Sequence, residues 1–408
     1  MYKRNLYKNC LAHLPEKETT IITGARQVGK TTLLRQIRSH LDEEGLPAFF
    51  INLEDPEYLT LLDTHPRNLF QLFQFPEEKR SFVLIDEIQY LQNPTNFLKY
   101  LYDEYAHRIK LIVTGSSAFY LDEKFRDSLA GRKRIFLLYT LSLDEFLLFH
   151  GQPDLAEQIR ILPAQELTIQ KLPVSQQREL ALYMDQYMRF GGFPRVVLAE
   201  TNDEKEDVLR ELLSSYVKKD ILESGVRNDQ NVMRLLMALS SQVGSLLNLN
   251  SLASTLGISR TAIDNYLYVL RKSFHVATIS PSFRNVRKEI RRMPKLYFLD
   301  LGLRNNLMRN FQPLSQRQDA GSLYENFIFR QFLDRLPIDE IQFWRTQQQH
   351  EVDFILEEKI ACEVKYSPEN LRPAKYKAFF ATHGHVPLQV IYHAGHPSKV
   401  EGMTFLRF

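Results

Sequence analysis

The stretch that most restricts how this chain can fold is Thr23-Gly24-Ala25-Arg26-Gln27-Val28-Gly29-Lys30-Thr31-Thr32, which satisfies G-x-x-x-x-G-K-[ST] without a mismatch. Residues 18–22 read as a short buried strand entering this loop, and residues 32–38 read as a helix leaving it. Gly24 and Gly29 let the backbone curl so that successive N–H groups of residues 24–32 point at phosphate oxygens, and the helix start adds partial positive charge. Lys30 can then reach the β- and γ-phosphates of a nucleotide, while the Thr31 hydroxyl ligates Mg²⁺. The alternative, a glycine-containing turn that fits by chance, predicts no second motif.

A second motif exists. Ser81-Phe82-Val83-Leu84-Ile85-Asp86-Glu87 is an apolar run ending in two acids, as expected of a buried parallel strand that delivers carboxylates to the ligand-binding edge of a sheet. Asp86 is assigned to hold the Mg²⁺ through water and Glu87 to orient and deprotonate an attacking water. An acid pair alone could simply cap the next helix; paired with the loop on one sheet it specifies ATP and Mg²⁺ as cofactors.

With 408 residues the chain can bury two or three cores, so several domains are expected. The net charge of +3 does not announce a nucleic-acid binder, and any basic surface must be local. The two cysteines, Cys10 and Cys362, lack partners at metal spacing, which argues for a reducing compartment and against zinc. The sequence has no secretory apolar core and no run of membrane-spanning length, so a cytoplasmic protein without a membrane partner is expected.

Residues 1–145 alternate short apolar strands and amphipathic helices, the signature of a parallel sheet covered on both faces. Residues 47–53, 108–117 and 134–139 supply three further strands. The phosphate loop, the Asp86-Glu87 pair and the polar strand end Thr114-Gly115-Ser116-Ser117 resemble the AAA-type branch of ATPases with this loop. The resemblance implies a polar residue beside the acid strand that senses the γ-phosphate or positions water, here Thr114, Ser116 or Ser117, with Ser116 counted among the catalytic residues. It also implies an arginine acting on a neighbouring subunit's nucleotide, with Arg132 the first choice and Arg126 the second. A homo-oligomer follows, a hexameric ring being one arrangement. Residues 146–230 turn helical and resemble that family's helical lid, in which Arg195 or Arg189 would reach the nucleotide.

Residues 231–310 carry a helix closing on a glycine turn at Gly257, then a second helix capped by Ser259. On the second helix Ile263, Leu267 and Leu270 share one face, leaving Arg260, Thr261, Asp264 and Tyr268 outside. This is the helix-turn-helix pattern, whose second helix enters the DNA major groove. Strands at 274–279 and 295–299 flank the basic stretch that contains Arg287, Lys288, Arg291 and Arg292. Together these resemble a winged helix with a phosphate-contacting wing, or else a protein-docking module.

Residues 311–408 hold a second constellation. A helix carrying Glu325 precedes strands with Asp353 and with Glu363-x-Lys365, the D…ExK pattern of restriction-endonuclease-like folds. Glu363 and Lys365 are two apart on a strand and so face one side, and a hairpin brings Asp353 beside them. Glu325, Asp353 and Glu363 would bind Mg²⁺ there and Lys365 would orient the water.

The whole chain thus resembles bacterial and archaeal AAA-type ATPases joined to a C-terminal domain of unknown function related to PD-(D/E)xK nucleases. The expected architecture is α/β throughout: a parallel ATPase sheet with a helical lid, a winged helix, and an endonuclease-like domain. Three functions compete. The first is a DNA-binding ATPase that rearranges its winged-helix and nuclease-like modules on DNA; the others are an ATP-regulated metal-dependent endonuclease and a nucleotide-dependent docking or signalling switch that never touches DNA.

Overall fold

The computed structural model describes residues 2–115, 129–217, 219, 221, 228–282, 293–397, 400 and 402–408. It divides into two compact units, one of residues 1–140 with 272–274 and one of residues 141–271 with 275–408.

In the first unit, β1 (Thr19–Thr23), β2 (Ala48–Asn52), β3 (Ser81–Asp86), β4 (Ile109–Gly115) and β5 (Lys133–Leu137) form one sheet in the order β2-β3-β4-β1-β5. Every neighbouring pair is parallel. The three central strands are buried along their whole length, which is why they read as unbroken apolar runs, whereas β2 and β5 are partly exposed at the edges. Ile21, Ile51, Val83, Ile85 and Val113 pack with Leu98 and Leu101 of the helix Pro94–Tyr105. The registers Ile22 with Thr114, Ile85 with Val113 and Asn52 with Asp86 align the carboxyl ends of all four strands at one edge. A helix not anticipated from the sequence, Asn5–Ala12, precedes β1.

The second unit begins with helices, among them Leu143–Phe149, Pro153–Arg160, Val174–Phe190 and Asn202–Glu211. The helix Leu249–Leu256 closes on left-handed Gly257, and Arg260–Lys272 follows, with the Ser259 hydroxyl accepting from the Ala262 N–H at 3.2 Å. Ile263, Leu267 and Leu270 are buried, while Arg260, Thr261, Asp264 and Tyr268 are exposed. β6 (Val276–Ile279) and β7 (Lys295–Phe298) pair antiparallel. β8 (Ile341–Arg345), β9 (Glu351–Leu356), β10 (Ile360–Lys365), β11 (Leu388–Tyr392) and β12 (Met403–Arg407) form a sheet in chain order. It is mixed: β8-β9-β10 are antiparallel and β10-β11-β12 parallel. The helix Ala320–Leu333 is buried against it along nearly every residue. Both cysteines are buried. No helix among the described residues is long and apolar enough to cross a membrane.

Candidate functional site

The phosphate loop leaves β1 at the carboxyl edge of the first sheet and enters the helix Lys30–Glu43. A Cβ on Gly24 would lie 2.0 Å from the Leu138 carbonyl oxygen, so any side chain there would push the loop off the sheet. Gly29 caps the helix at φ +98°, in the left-handed region where glycine is unstrained. Ala25 and Val28 are buried beneath the loop, Arg26 and Gln27 are half-buried, and Thr32 is exposed. The Lys30 ammonium donates to the carbonyls of Gly24 and Ala25 at 3.0 and 2.8 Å, which keeps its charge at the loop.

The loop and the acid strand meet. Thr31 Oγ1 donates to Asp86 Oδ2 at 2.7 Å, and Thr114 Oγ1 donates to Asp86 Oδ1. The Glu87 N–H donates in turn to Thr114 Oγ1 at 3.0 Å. Burial pushes the Asp86 carboxyl above its usual range, against the pull of hydrogen bonds from Thr114 and Thr31. At Glu87 the chain takes left-handed torsions, φ 58° and ψ 50°, a conformation that costs a non-glycine residue about 1–3 kcal/mol. The turn sends the two adjacent acids apart, Asp86 toward Thr31 and Glu87 into a hydrogen bond from Gln89 Nε2.

These residues fit a nucleotide with its magnesium. The curl cannot carry a side chain at Gly24, the helix start presents N–H groups, and a hydroxyl and a buried carboxylate converge within hydrogen-bond reach of each other. Of the three sensing candidates, Thr114 lies at the acid pair; Ser116 and Ser117 lie outside the described residues, as does Arg126. Arg132 is at the other edge of the sheet, since its carbonyl accepts from the N–H of Thr19 at the start of β1, and it pairs with Asp103 at 2.6 Å. Of the lid candidates, Arg189 pairs with Asp185 and donates to the Phe311 carbonyl, and Arg195 pairs with Glu211.

Sequence reasoning missed Arg4. Its guanidinium donates to the Val28 carbonyl at 2.6 Å and to the Tyr139 and Thr140 carbonyls at 2.9 and 3.5 Å, which ties the loop to the chain beyond β5.

In the second unit Glu325, Asp353, Glu363 and Lys365 do come together. Lys365 contacts Glu363 at 2.5 Å and Asp353 at 3.9 Å, and Asp353 accepts from the Val364 N–H at 2.9 Å. A residue that the sequence reading left among the wing strands, Lys295, stands between them. Its ammonium lies 3.3 Å from Glu325, 2.8 Å from Glu351 and 3.3 Å from Asp353. Tyr297 also donates to Glu325 at 2.7 Å, Arg345 pairs with Glu351 at 2.5 Å, and Lys375 pairs with Glu363 at 3.0 Å. The described residues contain no group of three or more His, Cys, Asp or Glu arranged to hold a metal ion, against the expectation of Mg²⁺ at Glu325, Asp353 and Glu363. Of the proposed DNA contacts, Arg260, Thr261 and Tyr268 are exposed on one helix; Arg287, Lys288, Arg291 and Arg292 lie outside the described residues.

A parallel sheet with the phosphate loop on one strand and the acid pair two strands away fits the α/β fold of phosphate-loop nucleoside triphosphatases. Residues 16–147 match the family model described as AAA domain, and two models described as domains of unknown function, DUF8612 and DUF4143, match residues 182–314 and 320–405. The chain is similar to an uncharacterized protein of Haemophilus influenzae, 26% identical over 86% of this chain and 83% of that one. It is similar also to an uncharacterized protein of Methanocaldococcus jannaschii, 27% identical over 85% and 74%. Among solved structures it resembles C. elegans PCH-2, at 14% identity and a TM-score of 0.34, over 54% of this chain and 69% of that one.

Proposed function

We propose that the protein is a Mg²⁺-dependent ATP hydrolase whose turnover drives rearrangement of the modules that follow. The reading is carried by the hydrogen-bonded chain from Thr31 through Asp86 and Thr114 to the Glu87 backbone, which joins the loop helix to the acid strand. Residues 24–32 cradle the phosphates, Lys30 neutralises them, and Thr31 and Asp86 hold the metal. Bound Mg²⁺ supplies Lewis-acid polarisation of the phosphoryl oxygens. Glu87 takes the proton of the attacking water, and Thr114 holds the backbone from which Glu87 projects. Lys30→Ala should abolish nucleotide binding, and Glu87→Gln should bind ATP while losing hydrolysis, both read by fluorescent-nucleotide titration and phosphate release. Normal turnover by the Glu87→Gln protein would refute the role given to that carboxylate.

The chain acts as an oligomer in this reading. Arg132, at the amino edge of the sheet, is the residue proposed to leave Asp103 and serve a neighbour's nucleotide. Residues 146–230 act as the lid.

DNA is the proposed partner of residues 231–310, read as a winged helix. The support is a glycine-closed helix, a capped second helix with Arg260, Thr261 and Tyr268 exposed, and the hairpin β6–β7. Affinity for duplex DNA should fall steeply with salt and drop further when Arg287, Lys288, Arg291 and Arg292 become Ala. Binding indifferent to both would favour a docking switch. The D…ExK residues on β9 and β10 support an endonuclease-like fold for residues 311–408, but cleavage is the weaker reading. Equal cutting, or none, by wild type, Asp353→Ala and Lys365→Ala would remove it.

A further inference from the structure

We infer that the resident cation of the C-terminal carboxylate pocket is the Lys295 ammonium, which excludes a divalent ion and makes the pocket a staple joining the β6–β7 hairpin to the C-terminal sheet. The inference is independent of ATP hydrolysis. It concerns the place where the endonuclease-like pattern calls for magnesium.

Geometry carries it. A magnesium ion in this pocket needs carboxylate oxygens about 2.0–2.1 Å away, in near-octahedral array. Glu325 Oε1 and Asp353 Oδ1, the oxygens that the pattern would offer, instead lie 3.3 Å from one nitrogen, with Glu351 Oε1 at 2.8 Å from the same atom. The ammonium donates to Glu325 and Asp353 and forms an ion pair with Glu351, so three carboxylates surround it. The lysine is 1% exposed, so its charge is held among these acids rather than in bulk solvent.

Charge agrees. Glu325, Glu351, Asp353 and Glu363 face Lys295, Arg345, Lys365 and Lys375, each acid within 3.3 Å of at least one of these cations. Four acids face four cations, so their formal charges balance before any ion arrives, and a divalent ion would add positive charge beside a buried ammonium. Two further donors reach the acids: Tyr297 donates to Glu325 Oε1, and the Val364 N–H donates to Asp353 Oδ2, while among the described residues Glu363 Oε2 is buried without a hydrogen-bond partner. Lys295 and Tyr297 both stand on β7, outside the five-stranded sheet, so the contacts bind one sheet to another.

The test is Mn²⁺ titration of the full chain without nucleotide, followed by electron paramagnetic resonance. A Thr31→Ala background removes the other expected metal site. Thr31→Ala alone should take up no Mn²⁺. Thr31→Ala with Lys295→Met should gain one bound ion that its parent lacks, and lose it again when Asp353→Asn is added. Mn²⁺ bound to the Thr31→Ala chain with Lys295 intact and released by Asp353→Asn would overturn the inference, and so would a folded Lys295→Met chain that takes up no more than its parent. Should Lys295→Met fail to fold, the Thr31→Ala titration alone decides.

Discussion

Arg4 acts on the phosphate loop without approaching the phosphates. Its guanidinium holds Val28, one residue before Gly29, to the backbone at 139–140, and charged-group hydrogen bonds of this kind each contribute roughly 1.5–3 kcal/mol. Arg4→Ala should therefore loosen the loop, raising KM for ATP about tenfold, a cost of one such bond, while kcat changes less. Arg4→Lys, which reaches fewer carbonyls, should recover part of the loss; unchanged KM in both variants would make the contact incidental. The phosphate loop and the acid pair were legible in the sequence because each is a run of adjacent residues whose spacing is itself the chemistry. Arg4 left no such trace. Its partners are backbone carbonyls 24 and 135 or more residues away, and any residue type supplies a carbonyl. Thr114 was read only as one of three polar residues at a strand end, because the register that sets it beside Asp86 exists only once β3 and β4 pair.

At the scale of elements, the helices Leu301–Met308 and Ala320–Leu333 are joined by a charged cluster rather than by an apolar seam alone. Asp319 accepts from Arg317 at 2.8 and 2.9 Å and from Arg304, and both arginines are almost wholly buried. Burial would raise the Asp319 carboxyl, but the two guanidinium groups outweigh it and hold the group below its ordinary range. A carboxyl depressed on folding contributes stability above its unfolded pKa, about 3.9, and that stability is lost as pH falls through the lower folded value. Wild type should thus lose melting temperature progressively below about pH 4, and Asp319→Asn should show a flatter acid limb. At neutral pH the variant leaves two buried arginines without their acid and should lose roughly 3–5 kcal/mol in chemical denaturation. An acid limb identical in both proteins would assign the loss to other carboxylates. Strands β11 and β12 escaped the sequence reading because parallel partners are linked by long crossovers, and nothing in a run such as Leu388–Tyr392 announces which strand it will pair with.

For the molecule as a whole, periodicity located the parallel sheet and the helical stretch after it, and the D…ExK pattern located β9 and β10. They could not show that Lys295, read as part of one module, is buried in another. That lysine decides where the chain can be cut. A fragment of residues 311–408 keeps Glu325, Glu351 and Asp353 but has lost the cation among them, so it should aggregate or melt without cooperativity. Residues 141–408, which keep β7, should melt in one cooperative step by circular dichroism; a cooperative melt of the shorter piece would make the lysine dispensable. The same dependence reaches into ancestry. A gene fusion that brought the last hundred residues from one source and the preceding hairpin from another would leave Glu325 without Lys295, while Glu351 and Asp353 kept Arg345 and Lys365, so the two segments are expected to travel together.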